Sequence, residues 1–413
     1  MRRITIVGAG QAGLMLGIGL LAKGYRVKLV TSETAAQLAG GPIRSTQGMF
    51  HDALQIERKL GLDLWDDVAP KIAELQFAMM GPDGKPAIAW RGALDAPASS
   101  VDQRLKFPAW MDIFERGGGQ LETRPVEVAD LDELARDCEL LVVAAGKGDV
   151  RRLFARDDAK SPYGAPQRAL AVCCVRNLTS YDPARVSFSV VPGAGEFFCV
   201  PGWGARGACD YLFFEAVPGG PLDRFDGVTA PEQRLALTLR LLETFVPGEY
   251  ARCANAELTD AGATLAGRFA PEVRKPVADL PSGALAFGIA DTVVLNDPIT
   301  GQGSNNAAKA AAAYLEAILA HGDAPFDAAW MQATFDEHWA AYAAWSTAFT
   351  NAMLQPPPPH VRRFLFEAAS RPSLRRAFVN GFDHPPSLFP WLGDPAACEA
   401  MIEAADAESV VGA

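Results

Sequence analysis

Ile4-Thr5-Ile6-Val7-Gly8-Ala9-Gly10-Gln11-Ala12-Gly13 is the stretch whose reading decides the fold. A short apolar run of strand type enters a G-x-G-x-x-G turn. A helical stretch from Leu14 to Lys23 follows, and then a second apolar run, Tyr25 to Val30. Strand, turn, helix and strand in this order make a βαβ start and favour a parallel sheet. The glycines permit a tight turn, close approach of a pyrophosphate and packing of helix on strand, while the helix N-terminus offers free amides. Gly8, Gly10, Gln11, Ala12 and Gly13 are therefore read as a dinucleotide cradle, with a merely structural glycine turn as the rival. An acidic residue usually closes the second strand and binds the adenosine ribose. Here Thr31 holds that place, with Ser32 and Glu33 beyond it. Thr31 or Glu33 could contact the ribose, and Glu33 could equally be a solvated surface acid.

A second glycine segment lies far downstream: Gly288-Ile289-Ala290-Asp291, then Asp297-Pro298-Ile299-Thr300-Gly301-Gln302-Gly303-Ser304-Asn305. A long flavin dinucleotide needs a grip at its adenosine end and another at its ribityl and ring end. Two such segments point to FAD rather than a nicotinamide cofactor alone. Asp291 can accept hydrogen bonds from ribityl hydroxyls; an N-cap or exposed loop acid is the alternative. Gly301 and Gly303 open a helix whose free amides could face the flavin ring edge, an effect worth about 0.3–2 kcal/mol. Between the segments, Leu140 to Ala145 is a buried strand running into Gly146. Arg44 and Arg104 are candidates to pair with pyrophosphate, against a rival role in salt bridges.

The rest of the chain suits about two domains: 413 residues, 49% of them hydrophobic. A net charge of −11, with no basic block, argues against nucleic acid or an anionic membrane as partner. No apolar run approaches the roughly 20 residues of a membrane span. The amino-terminal strand is too short for a cleavable signal. Seven scattered cysteines form no Cys-x-x-Cys pair, which suits reduced thiols in the cytoplasm. Five dispersed histidines suggest no metal cluster.

A helix is expected around His51 to Leu60, a hairpin over 77–90 turning at Gly81 to Gly84, and a helix over Leu105 to Arg116. Short strands fill Gln167 to Phe214, and a helix follows at Pro231 to Phe245. The remainder reads as helical, closing with aromatic and proline-rich turns around Phe382 to Trp391.

With these segments placed, the chain resembles the flavin monooxygenases built like para-hydroxybenzoate hydroxylase. Within them it is most similar to the oxygenase component of two-component styrene and indole monooxygenases. The match runs through Gly8 to Gly13, Arg44 with His51, Val101 to Leu105, Leu141 to Lys147 and Ser161-Pro162-Tyr163. It continues through Pro166 to Leu170, Ser187-Phe188-Ser189, Gly195-Glu196, Asp297 to Asn305, Trp345 to Thr350 and Pro356 to Pro359.

The resemblance implies an α/β protein. A Rossmann-like FAD-binding domain (residues 1–150 and 279–320) carries an inserted, mostly antiparallel β substrate domain (151–278, joined by the 77–90 hairpin). A helical region, 321–413, completes it. It further implies that an NAD(P)H:flavin reductase supplies reduced FAD. The oxygenase then reacts it with O₂ to a C(4a)-hydroperoxide, which oxygenates a small aromatic alkene or indole-like substrate. Single-component relatives carry an Asp-Gly pair with Ser and Arg after the third strand; Ala145-Gly146-Lys147-Gly148-Asp149 lacks it. A single-component NAD(P)H-dependent hydroxylase and a non-catalytic FAD-binding protein are the alternatives. No Trp-x-Trp-x-Ile-Pro run of a flavin halogenase occurs.

Such chemistry needs no protein nucleophile or metal, so no residue is assigned a covalent role. Gln47, Pro298 and Thr300 are candidates to line the reaction cavity. Phe188, Phe197 or Phe198 could supply an apolar lid, with plain core packing as their rival. Gln47 stands where Asn is expected in the styrene enzymes. A homodimer is left open.

Overall fold

The computed structural model describes residues 2–411 apart from Thr46, Lys147 and Pro390. Lys147, quoted above at the end of the third strand's turn, lies outside the described residues. The central strand of the first sheet is Arg3–Val7, flanked by Arg26–Thr31 and Leu140–Val143, both parallel to it. Ile6 stands level with Leu29 on one side and Val142 on the other, and all three are fully buried. A parallel sheet covered on both faces requires such unbroken apolar runs. Leu285–Gly288 joins beside Leu140–Val143, again parallel, and Gln120–Thr123 closes the other side. Only Val277–Asp279, at the edge, runs antiparallel. The carboxyl ends of Arg3–Val7, Leu140–Val143 and Leu285–Gly288 therefore emerge side by side. In an open α/β sheet, that is where a ligand crevice forms.

The second sheet has nine strands. Ala169–Arg176, Gly207–Ala216, Gly195–Gly204 and Arg185–Val191 form an antiparallel run. The hairpin Ile72–Met80 and Pro86–Ser100 attaches by a parallel pairing of Ile72–Met80 with Arg185–Val191. Gly48–Met49 adds a last short strand against Ser99 and Ser100.

Side chains alternate across this sheet. One face carries Phe77, Trp90, Phe188, Phe198 and Phe213, packed with Ile299 and residues of the helices Ala344–Met353, Pro359–Glu367 and Pro372–Asn380. The other face carries Phe197, Leu212 and Phe214 against the helix Pro231–Phe245. Phe197 is thereby corrected as a lid candidate: it points away from the side holding Phe188 and Phe198.

The chain also does not close in turns. A helix, Pro395–Val411, follows them, and its Cys398 and Ile402 complete the core under the carboxy-terminal helices. Its Ala- and Glu-rich sequence has high helix propensity, which the preceding prolines masked. No helix among the described residues is long and apolar enough to cross a membrane.

Phe188 lies at the centre of the aromatic stack, 4.6 Å from Phe198 and 5.4 Å from Phe77 between ring centroids. Phe188→Ala is expected to cost about 3–5 kcal/mol, read as a lower urea midpoint at unchanged slope.

Candidate active site

The first strand and first helix, Gln11–Ala22, meet at the glycine turn. A Cβ on Gly13 would lie 2.0 Å from the Gly8 carbonyl oxygen, so helix and strand touch there without room for any side chain. A Cβ on Gly10 would meet nothing within 4 Å. That open space sits at the beginning of a helix with no side-chain cap, where the amides of Gln11 and Ala12 start the helix. An uncapped, positively polarised end beside an open glycine fits a pyrophosphate.

Thr31 closes the second strand as a buried residue, Ser32 is exposed and Glu33 is half-buried. Glu33 accepts a 2.6 Å hydrogen bond from Arg44. The Arg44 Nε is buried without a protein partner, which suits a ligand acceptor at that end of the guanidinium.

Arg104 is a correction. It is buried and held bidentately by Asp102 and again by Asp260, with donor–acceptor distances of 2.7–3.2 Å. Burial works against its charge, but the hydrogen bonds to Asp102 and Asp260 outweigh that and hold the guanidinium above its ordinary range. Its charge is spent on two carboxylates, leaving no net cation for pyrophosphate. It also donates to the Gly41 carbonyl, so it secures the loop that carries Arg44.

At the neighbouring strand ends, Gly146 and Asp291 stand together: a Cβ on Gly146 would approach the Asp291 Cβ to 3.0 Å. Asp291 is half-buried in the single turn Ala290–Thr292, with its carbonyl accepting from Arg151 at 2.8 Å. Downstream, Asp297 caps the turn Pro298–Thr300 by accepting from the Ile299 amide. Gly301 takes φ +66° and starts the helix Gln302–His321, which again has no side-chain cap. Gly303 and Ser304 lie half-buried in its first turn.

Asn305 is fully enclosed. It accepts from the Phe50 amide at 2.8 Å and donates to the Gly48 and Gly301 carbonyls at 2.8 and 2.7 Å. The Thr300 hydroxyl is turned inward onto Thr350 at 2.6 Å, so the half-buried Pro298 is the more accessible member of this turn.

Two buried residues went unread in the sequence, Glu57 and Lys106. Lys106 donates to Glu57 at 2.5 Å, and Gln11 Nε2 donates to the same oxygen at 2.7 Å. Gln11 Oε1 in turn accepts from Gln47 Nε2 at 2.9 Å. A lysine only donates and a carboxylate only accepts, so every amide in this row has one permitted orientation. The row ends at Gln47 Oε1, buried without a protein donor. The missed signal was Glu57 itself, on the buried stripe of its helix with Ala53 and Leu54.

Two substitutions test this arrangement. Gly10→Ala should leave the unfolding midpoint unchanged yet weaken FAD binding about tenfold or more, measured by quenching of flavin fluorescence. Lys106→Met should destabilise the fold by about 3–5 kcal/mol in urea, because it strands the Glu57 charge.

Residues 146–252 match the family model described as "Styrene monooxygenase A putative substrate binding domain". Styrene monooxygenase StyA from a Pseudomonas species is 30% identical over 396 residues, covering 93% of both chains. The Pseudomonas fluorescens StyA is 30% identical over 395 residues, again with 93% coverage of each. Among solved structures, a flavin-dependent brominase Bmp2 variant superposes with a TM-score of 0.67 at 16% identity, covering 98% of this chain and 100% of its own. At that identity it speaks for the fold alone. The chain thus belongs to the StyA family of styrene monooxygenases and is an FAD-dependent monooxygenase.

Proposed function

We propose that the protein is the oxygenase component of a two-component flavin monooxygenase, epoxidising or oxygenating a small aromatic alkene or an indole-like substrate. In this reading residues 1–150 and 279–320 hold FAD. Residues 151–278 and the hairpin present the substrate face, and 321–413 back it. When bound, reduced FAD supplies the activated oxygen from O₂. The chain binds, orients and excludes water.

The Gly8–Gly13 turn takes the pyrophosphate, with Arg44 and Glu33 at the adenosine side. Asp291, approached closely by Gly146, takes the ribityl chain. The helix end at Gly301 and Gly303 faces the ring. Gln47 and Pro298 border the reaction space. Phe198 forms its apolar wall, and Phe188, closed in behind it, holds that wall in place.

The observation that carries this reading is the apolar sheet face of Phe198 and Phe213 sharing one packed cluster with Ile299, next to Pro298. A dry, aromatic wall beside the flavin turn suits oxygen transfer to an electron-rich double bond. The partner is an NAD(P)H:flavin reductase, since the nicotinamide signature is missing after the third strand. All seven cysteines carry free thiols, which supports a reducing cytoplasm.

The test supplies reduced FAD from a generic flavin reductase, with O₂ and styrene, indole or an aryl sulfide. Styrene oxide, blue pigment or sulfoxide should form only when protein and reductase are both present. Rapid bleaching of the protein-bound flavin by NADH without reductase would overturn the two-component reading.

A further inference from the structure

Glu196 and Glu215 stand directly opposite each other on the paired strands Gly195–Gly204 and Gly207–Ala216. Alternation puts both on the face that carries Phe198 and Phe213. Like charges in that register repel unless each is answered. Arg168 answers one of them: Nε and Nη2 grip the two Glu196 oxygens at 2.7 and 3.0 Å. Its Nη1 is spent on the Gln167 and Leu354 carbonyls.

Glu215 is 0% exposed, and neither of its carboxylate oxygens meets a donor. The group within hydrogen-bonding reach of it is the carboxyl of Asp297, itself 1% exposed. Asp297 accepts from the Ile299 amide and begins the Pro298–Thr300 turn. Two buried carboxyls that face each other, with the nearest cation committed to a third, cannot both be ionised.

We propose that Glu215 and Asp297 share one proton, and that this proton pins the Asp297–Gly301 turn to the substrate-side sheet. The second clause rests on the reading of that turn as the loop facing the flavin ring. The charged groups facing Glu215 are Asp297, Glu196 and Arg168. Burial raises the Glu215 carboxyl well above its usual range, Asp297 and Glu196 raise it further, and Arg168 opposes them. Burial likewise raises Asp297, against the hydrogen bonds from Glu215 and Ile299.

The folded state thus keeps a proton that the unfolded chain releases near pH 4.3. The stability from this pair is complete below that pH and is lost as pH rises toward the folded value. Losing the proton sets two carboxylates against each other and lifts the turn, so FAD binding should weaken on the alkaline side. Glu215→Gln replaces the proton with an amide donor to Asp297. Asp297→Asn does the same toward Glu215. Either should hold the turn without titrating.

The experiment measures binding of oxidised FAD to the apo-protein from about pH 6 to about pH 9.5, with infrared spectra in H₂O and D₂O. In the unmodified protein, affinity should fall about tenfold or more across the alkaline limb. A protonated-carboxyl band sensitive to D₂O should persist at neutral pH. Glu215→Gln should bind within about threefold at neutral pH, lose the alkaline fall and lose the band. If Glu215→Gln does not fold, Asp297→Asn is read the same way.

Absence of the band in the unmodified protein overturns the shared proton. An alkaline fall that persists unchanged in the amide variants also overturns it. A band that is present with FAD affinity independent of pH overturns the coupling to flavin. That outcome faults the assignment of the turn and leaves the monooxygenase reading standing, because neither measurement involves substrate.

Discussion

The enclosed side chain of Asn305 is the constraint on which the site depends. Its oxygen takes the Phe50 amide, and its nitrogen serves the Gly48 and Gly301 carbonyls. Three backbone groups from two segments about 250 residues apart are thus satisfied by one buried amide. The start of the Gln302–His321 helix, the strand after Gln47 and the Gly301 turn become one body. Gly48 and Met49 also pair with Ser100 and Ser99, so the same clamp ties the dinucleotide end of the molecule to the edge of the large sheet. The parallel sheet brings the two glycine segments side by side, and this clamp fixes the Gly301 turn against the strand after Gln47.

Around that clamp, polarity is distributed unevenly. On one side, Lys106, Glu57, Gln11 and Gln47 form a directed row that leads from the core toward the mouth of the first helix. On the other, the sheet face is aromatic until it reaches Glu196, Glu215 and Arg168. Both helix ends at the site, Gln11 and Gln302, begin without a side-chain cap. Thr34, Asp102 and Asp327 cap their helices with side chains, while these two ends, like those of His51–Lys59 and Pro231–Phe245, have none. In the proposed reading, the cofactor supplies the missing acceptors at the two site ends.

Much of this was legible because the signals are local. G-x-G-x-x-G between an apolar strand and a helix is a complete physical statement within about a dozen residues, and the helix opened by Gly301 and Gly303 reads the same way. Arg104 was misjudged because its second carboxylate, Asp260, lies 156 positions away. Phe197 was grouped with its neighbours because strand parity needs a register, and the register comes from pairing with Ser189 and Phe214. Glu57 and Glu215 did leave a trace. Glu57 is the one acid on a stripe with Ala53 and Leu54, and Glu215 the one acid on the strand face that carries Cys209, Tyr211 and Phe213.

The order of strands in the first sheet has a further consequence for how the chain acquires its shape. Arg3–Val7 can pair early with Arg26–Thr31, but its other neighbour begins at Leu140 and the strand beyond that at Leu285. The large sheet is likewise joined by the pairing of Ile72–Met80 with Arg185–Val191. The strands of the large sheet end at Gly267, so all of them have left the ribosome before Leu285–Gly288 can complete the first sheet. Such non-local pairing slows folding and leaves strand edges open meanwhile. The sheet that the chain begins first is therefore the one it completes last.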